Sequence, residues 1–349
     1  MGRVLLVLAL LGALALAAGA YVAWQWYETP QTKLAGAATL IEPGERYASV
    51  LSRWHQAGLI DEPQWWRIAG RLSGLATKMQ AGEYRLTEAG SPRAVLEQLS
   101  RGQGTLSYQI QFLEGWTLKE IRVALAQAPH LQQTLTDVTD AELLPLLREE
   151  MNEELPEGLV AVDDSSGAIA NAEGWFFPDT YSYQRDTRDV DILGRAFARM
   201  VDELNEVWAA RGADLPLESP YDALILASIV EKETGQSADR EFISQVFIRR
   251  LDQGMKLQTD PTVIYGVGEQ FAGDLTRKHL RTDTPYNSYT RYGLPPTPIA
   301  APGKESLLAA VAPAPTDYLF FVARGDGSTE FSRTLEEHNA AVRRFQLGR

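Results

Sequence analysis

The chain contains no cysteine. Disulfides, thiolate metal sites and a cysteine nucleophile are therefore excluded, and a chain without thiols is indifferent to an oxidising compartment. Basic charge is also short. The 33 lysines and arginines stand against 46 aspartates and glutamates, for a formal net charge of −13. No run of Lys and Arg carries interleaved aromatics, and this balance repels a phosphate backbone, so no nucleic-acid partner is expected. Histidine is scarce, and His55, His130, His279 and His338 show no metal-ligand spacing. There is no HExxH, no GxSxG, no glycine-rich phosphate loop and no apparent internal repeat. No metal or cofactor is expected. Acid–base chemistry by carboxylates is the option that remains for an enzyme.

What is present describes a globular chain, with 45% hydrophobic and 23% charged residues over a length of 349, enough for two domains with cores. Residues Val4 to Trp24 carry no charge, and that length matches the roughly 20 residues of a membrane-spanning helix. Trp24, Trp26 and Tyr27 follow as an interfacial aromatic belt, and Arg3 places the short N-terminus on the cytoplasmic side. The rival reading is a cleaved signal peptide ending near Ala18-Gly19-Ala20, but its apolar region would be only about 7–15 residues. A retained single-pass anchor over residues 4–27 is preferred, with the bulk of the chain outside the cytoplasm (periplasmic).

After a polar linker over 28–38, residues 39–105 read as strand, helix, helix, strand and a last helix. Tyr47, Val50, Leu51 and Trp54 recur at helical spacing, and Trp65, Trp66, Ala69 and Leu72 form the expected inward stripe of the second helix. Ser91 and Pro92 open the last helix, with Val95, Leu96 and Leu99 inward. This is the plan of a LysM-like glycan-binding module, with Tyr47 and Trp54 read as core rather than sugar groove. Residues 106–349 mix strands and helices. Asp137 to Asp164 is strongly acidic, with Arg148 its one basic residue, and reads as a solvated helical flap. Glu173 to Tyr181 packs four aromatics, two carboxylates and a proline into nine residues, a mixture suited to sugar rings. Leu257 to Thr262 reads as a polar turn, and 284–299 as a long Pro-rich functional loop. A hairpin around 324–327 precedes a helix capped by Thr334 and Glu337, with Leu335, Val342 and Phe345 inward and His338 a satisfied buried histidine. The fold class is α+β: an N-terminal transmembrane helix, a small LysM-like βααβ subdomain, and a mixed α+β catalytic domain.

The stretch from Tyr221 to Tyr265 organises the rest. Ala223 to Val230 is apolar or small throughout, with Ser228 the one polar residue, and Gly235 is expected to close it as a helix. A helix apolar all round belongs at the centre of a domain. Its last turn holds Glu231-Lys232-Glu233. A carboxylate against apolar neighbours and the negative end of a helix dipole is expected to have a raised pKa, as a general acid requires. The pattern alone does not choose between Glu231 and Glu233.

The chain resembles the MltG (YceG-like) endolytic murein transglycosylases. The residues that carry the resemblance are LASIVEKE at 226–233, VFIRRL at 246–251, GMKLQTDPTVIYG at 254–266, EG at 173–174, FPDTY at 177–181, TPYNSY at 284–289 and GLPP at 293–296. The order anchor, LysM-like unit, catalytic domain agrees as well. The resemblance implies cleavage of the MurNAc–GlcNAc β-1,4 bond in nascent peptidoglycan strands, leaving 1,6-anhydro-MurNAc ends and terminating elongation, in the bacterial inner membrane. It places the catalytic acid on Glu231, with Glu233 as fallback. Glu173, Tyr181, Gln258, Thr259, Asp260 and Asn287 are expected to bind sugar or peptide. Cell-wall synthases (penicillin-binding proteins) are implied partners. A lysozyme-type hydrolase and a non-catalytic glycan-binding scaffold are the rival readings. Asp260 or Glu173 would supply the hydrolase's second carboxylate.

Overall fold

The computed structural model describes residues 2–151, 171–212 and 214–347; the part of the acidic stretch over 152–164 lies outside them. The chain divides into two compact units, Met1–Tyr108 with Ser182–Asp186, and Gln109–Tyr181 with Thr187–Arg349.

The first unit begins with α1 (Gly2–Glu28), whose apolar surface is exposed and which is long enough to cross a membrane. Strand β1 (Ala38–Ile41) pairs antiparallel with β2 (Gly82–Arg85), Ala38 facing Arg85 and Ile41 facing Gly82. Helices α2 (Tyr47–Gln56), α3 (Pro63–Ser73) and α4 (Pro92–Ser100) cover this ribbon. Their shared core holds Val50, Leu51 and Trp54 of α2, Trp66 of α3, and Val95 and Leu99 of α4, all residues that helical spacing had set inward. The Trp54 indole N–H donates to Thr39 Oγ1 at 2.7 Å, satisfying the one polar atom of a buried ring. Helix α3 is turned from its expected orientation. Trp66 is buried, but Trp65 is 42% and Leu72 83% exposed. The reason is Gly70, where a Cβ would stand 2.6 Å from the Tyr47 ring. The close approach of Tyr47, whose hydroxyl donates to the Trp66 carbonyl, selects the Trp66–Gly70 face as the inner one.

The second unit is built around helices. Strands β3 (Tyr108–Gln111) and β4 (Thr180–Tyr183) form a short ladder. Helix α5 (Leu118–Gln127) starts on a reciprocal capping box between Thr117 and Glu120. Helix α6 (Asp140–Met151) corrects the expected solvated flap, because Leu143, Leu144 and Leu147 are buried against α7 (Asp189–Ala209), the helix whose Ile192, Ala196, Met200, Leu204 and Val207 lie in the core. At the centre is α8 (Pro220–Glu233), opened by a Ser219–Asp222 capping box and buried from Ala223 to Val230. It packs among α7, α9 (Ser237–Asp252), α10 (Asp260–Val267) and α12 (Lys304–Val311). The helix ends differently from expectation: Thr234 is extended, and Gly235 does not adopt a positive φ.

The 257–262 stretch is not one turn. Pro261 favours a helix start, and α10 begins at Asp260 with Thr259 before it. After α11 (Arg277–Arg281) the Pro-rich 284–299 loop carries no helix or strand. Strands β5 (Phe320–Ala323) and β6 (Thr329–Ser332) form the expected hairpin, and Thr334 caps α13 (Leu335–Phe345) with Glu337. Leu335, expected inward, is 58% exposed, and Ala341 takes the buried position on that helix.

Candidate active site

The last turn of α8 sends its two glutamates to opposite sides. Glu231 turns toward the start of α12. Its Oε2 accepts from the Gly303 amide at 3.0 Å and the Ser306 hydroxyl at 2.7 Å, and its Oε1 accepts from Arg240 at 3.3 Å. Both partners of the ion pair are buried, with 6% and 8% of their side chains exposed. A carboxylate at a helix N-terminus with a guanidinium beside it is well held. Glu231 is not among the residues lining the two cavities described below. Arg240 also holds Glu305 at 2.6 Å, and the cluster braces α8, α9 and α12 together.

Glu233 turns the other way, into a cavity of about 500 Å³ that it lines with Arg250, Gln258, Asp260, Tyr289 and His338. Burial pushes its carboxyl up to about 7; a hydrogen bond from the Thr259 hydroxyl opposes the shift, the Asp260 charge adds to it, and Arg250 opposes it weakly. Each of these groups has its own support. Thr259 is buried, and its amide donates to Ser288 Oγ at 3.0 Å. Asp260 Oδ1 accepts from the Tyr289 hydroxyl at 2.6 Å. Arg250 is fixed by the Leu319 and Leu257 carbonyls and lies over the Phe320 ring. Gln258 sits at a positive φ of 50°, with its amide on the Ser288 carbonyl. That backbone turn aims its side chain into the cavity.

The remaining expectations divide. Glu173 is 4% exposed and lines a separate cleft of about 1270 Å³ on the other side of α10. Burial pushes it up to about 7, against a hydrogen bond from the Leu118 amide and another from Tyr265, whose hydroxyl lies 3.2 Å away. Tyr181 is buried, with its hydroxyl donating to the Phe177 carbonyl at 2.7 Å. Asn287 is likewise spent: its amide N–H groups reach the carbonyls of His279, Leu280 and Thr282, and its oxygen accepts from the Tyr289 amide. It shapes the loop. The Thr259 hydroxyl donates to Glu233. His338, expected to be satisfied, has no hydrogen bond at Nδ1 among the described residues and stacks on Phe320. Arg250 and Tyr289 were missed. Their signal in the sequence was present, since both fall within the motifs that carry the family resemblance.

A mixed α+β chain with a buried, cleft-lining carboxyl of raised pKa at the end of its central helix has the features of a carboxylate acid–base enzyme. The chain belongs to the YceG-like family, whose model matches residues 39–344. It is 32% identical over 272 residues to the endolytic murein transglycosylase of Bacillus subtilis (strain 168), covering 77% of this chain and 74% of that one. Against the endolytic murein transglycosylase of Streptococcus pneumoniae serotype 2 (strain D39) it is 28% identical over 285 residues. That match spans 76% of this chain and half the length of the streptococcal protein. Among solved structures, a YceG-like protein from Listeria monocytogenes superposes with a TM-score of 0.55 at 28% identity, covering 87% of this chain and 98% of the other.

Proposed function

We propose that the chain is an endolytic murein transglycosylase, with Glu233 rather than Glu231 as its catalytic acid. The observation that carries this reading is the pairing of a carboxyl raised to about 7 with a cavity that it lines. An acid of that pKa is substantially protonated at neutral pH and is a competent base once it has given up its proton. Glu233 protonates the glycosidic oxygen between MurNAc and GlcNAc as the C1–O bond breaks. The resulting carboxylate then takes the proton of the MurNAc C6 hydroxyl while O6 bonds to C1, which closes the 1,6-anhydro ring and restores the acid. No water is consumed. The nucleophile belongs to the sugar already bound, so one carboxyl suffices. Asp260 and Arg250 set the charge around it, while Gln258, Tyr289 and Asp260 line the cavity as groups to orient sugar or peptide.

The same reading assigns residues 39–105 to a LysM-like glycan-binding subdomain and 106–349 to the catalytic domain. Residues 4–27 become a retained single-pass anchor in the inner membrane, with the catalytic domain periplasmic. Nascent glycan strands are the substrate, and cell-wall synthases are partners. Glu173, in the second cleft, is a substrate-binding group. Asp260 keeps a lysozyme-type hydrolase as the second reading, since a hydrolase needs another carboxylate near its acid. Mass spectrometry of fragments released from purified peptidoglycan separates these readings from each other and from a non-catalytic scaffold. Anhydro-MurNAc ends are expected; reducing ends would assign the hydrolase, and an undigested polymer the scaffold.

A further inference from the structure

The outward turn of α3 leaves an apolar stripe that the small unit covers only in part. Trp65, Ile68 and Leu72 follow one another at i, i+3 and i+7, exposed by 42%, 49% and 83%, while the buried side of the same helix is occupied by Trp66 and Gly70. This helix therefore has two apolar faces, and the domain core uses only one. Arg67 and Arg71 flank the outer stripe, both exposed. Neither has an ion pair among the described residues.

The stripe stands at a definite height. Counting 20 residues from Val4 to Ala23 at about 1.5 Å each gives about 30 Å, the thickness of the hydrocarbon layer, which leaves Trp24, Trp26 and Tyr27 at headgroup level. The Trp26 ring lies 6.3 Å from Trp65 and 5.8 Å from Trp66. Trp26 and Tyr27 also pack on the small unit's core, and Glu28 pairs with Arg93 at 2.8 Å. The end of α1 is thus docked to the unit, not tethered to it. A groove of about 310 Å³ joins Ala23 and Trp24 to Ile68 and Leu72, so the outer stripe of α3 runs at the depth of the last membrane turn of α1.

We infer that α3 is an interfacial helix, and that the occupant of its outer face is the lipid bilayer itself. Trp65, Ile68 and Leu72 sit at the boundary of headgroups and acyl chains, and Arg67 and Arg71 reach up to lipid phosphates with their stems along the apolar surface. The inference rests on the reading of α1 as a retained anchor. It adds that the small unit lies on the membrane surface instead of standing off it. An aromatic, an aliphatic stripe and two flanking arginines are the composition such a helix requires, and their continuity with the spanning helix favours lipid over a protein partner.

The absence of cysteine makes the test direct. Single-cysteine variants of the full chain, Ile68→Cys and Leu72→Cys, are spin-labelled in vesicles containing phosphatidylglycerol, with Arg101→Cys as an aqueous control and Leu10→Cys as a report on the anchor. Accessibility to oxygen and to a water-soluble nickel chelate is read by power saturation. Labels at 68 and 72 are expected to gain oxygen accessibility and lose nickel accessibility several-fold relative to 101. Nickel accessibility equal to that at 101 overturns the inference. Shielding from both reagents also overturns it, because a protein surface then covers the face. A lipid-exposed label at 10 with aqueous labels at 68 and 72 sinks the inference alone; an aqueous label at 10 sinks the anchor reading and the inference with it.

Discussion

Two glutamates two residues apart have opposite physical lives. On a helix they point roughly 200° apart, and what each meets decides its chemistry. Glu231 meets Arg240, Ser306 and the Gly303 amide. Replacing it with glutamine breaks a buried ion pair and should cost about 3 kcal/mol of stability, measured by urea unfolding, while the cleavage rate per folded molecule stays close to the parent's. Glu233→Gln should do the reverse. The loss of a general acid costs about 100-fold or more in kcat. Its effect on stability depends on pH. The folded pKa of about 7 lies above the ordinary 4.5, so between those values the folded state holds more protons and stability falls as pH rises. That gap corresponds to about 3 kcal/mol. Glu233→Gln, neutral throughout, should therefore be more stable than the parent at pH 8 by up to that amount, and no more stable at pH 4. The activity profile carries the same signature, with kcat/KM falling as pH rises through about 7. Asp260→Asn removes a charge that raises this pKa and should move the inflection to lower pH; Thr259→Val removes a hydrogen bond that lowers it and should move the inflection higher. Equal inflections in all three proteins would remove Glu233 from the titration.

At the scale of elements, α8 is held by contacts that bring distant loops to it. The hydroxyl of Ser228 accepts from the Ile299 amide at 3.0 Å while donating to the Ile225 carbonyl, so the one polar residue of the apolar run joins the helix to the Pro-rich loop. Gly174 adds a second joint. Its φ is +81°, and a Cβ there would meet Pro298 at 2.4 Å. Gly174→Ala should lower Tm by several degrees through strain and overlap together, as calorimetry would register. The central helix was legible in the sequence because eight uniformly apolar or small residues leave no outer face. The facing of α3 was not. Two adjacent tryptophans offer two inward faces, and only the Tyr47–Gly70 approach chooses between them. The different surroundings of Glu231 and Glu233 were illegible for a related reason: they depend on Ser306, 75 positions away, arriving beside one of them. Asn287 looked like a ligand group because an exposed loop asparagine and one that braces its own loop are the same letter.

On the scale of the whole molecule, composition set the class of chemistry before any motif was read. Without thiols, clustered histidines or a basic surface, only carboxylates were left to act. The family membership and the cavity that Glu233 lines at the end of α8 suit carboxylate chemistry. On the proposed reading the candidate anchor, the small unit and the acid-bearing unit make a membrane-held enzyme that cuts glycan strands, and the claim on which that reading depends is that Glu233 performs the cut. The direct test is the rate at which purified peptidoglycan releases anhydro-MurNAc-ended fragments, followed by mass spectrometry for the parent, Glu231→Gln and Glu233→Gln at equal concentrations of folded protein. The parent and Glu231→Gln should release them at similar rates and Glu233→Gln at about a hundredth or less. Release by Glu233→Gln at the parent's rate, or its loss in Glu231→Gln alone, would contradict the account.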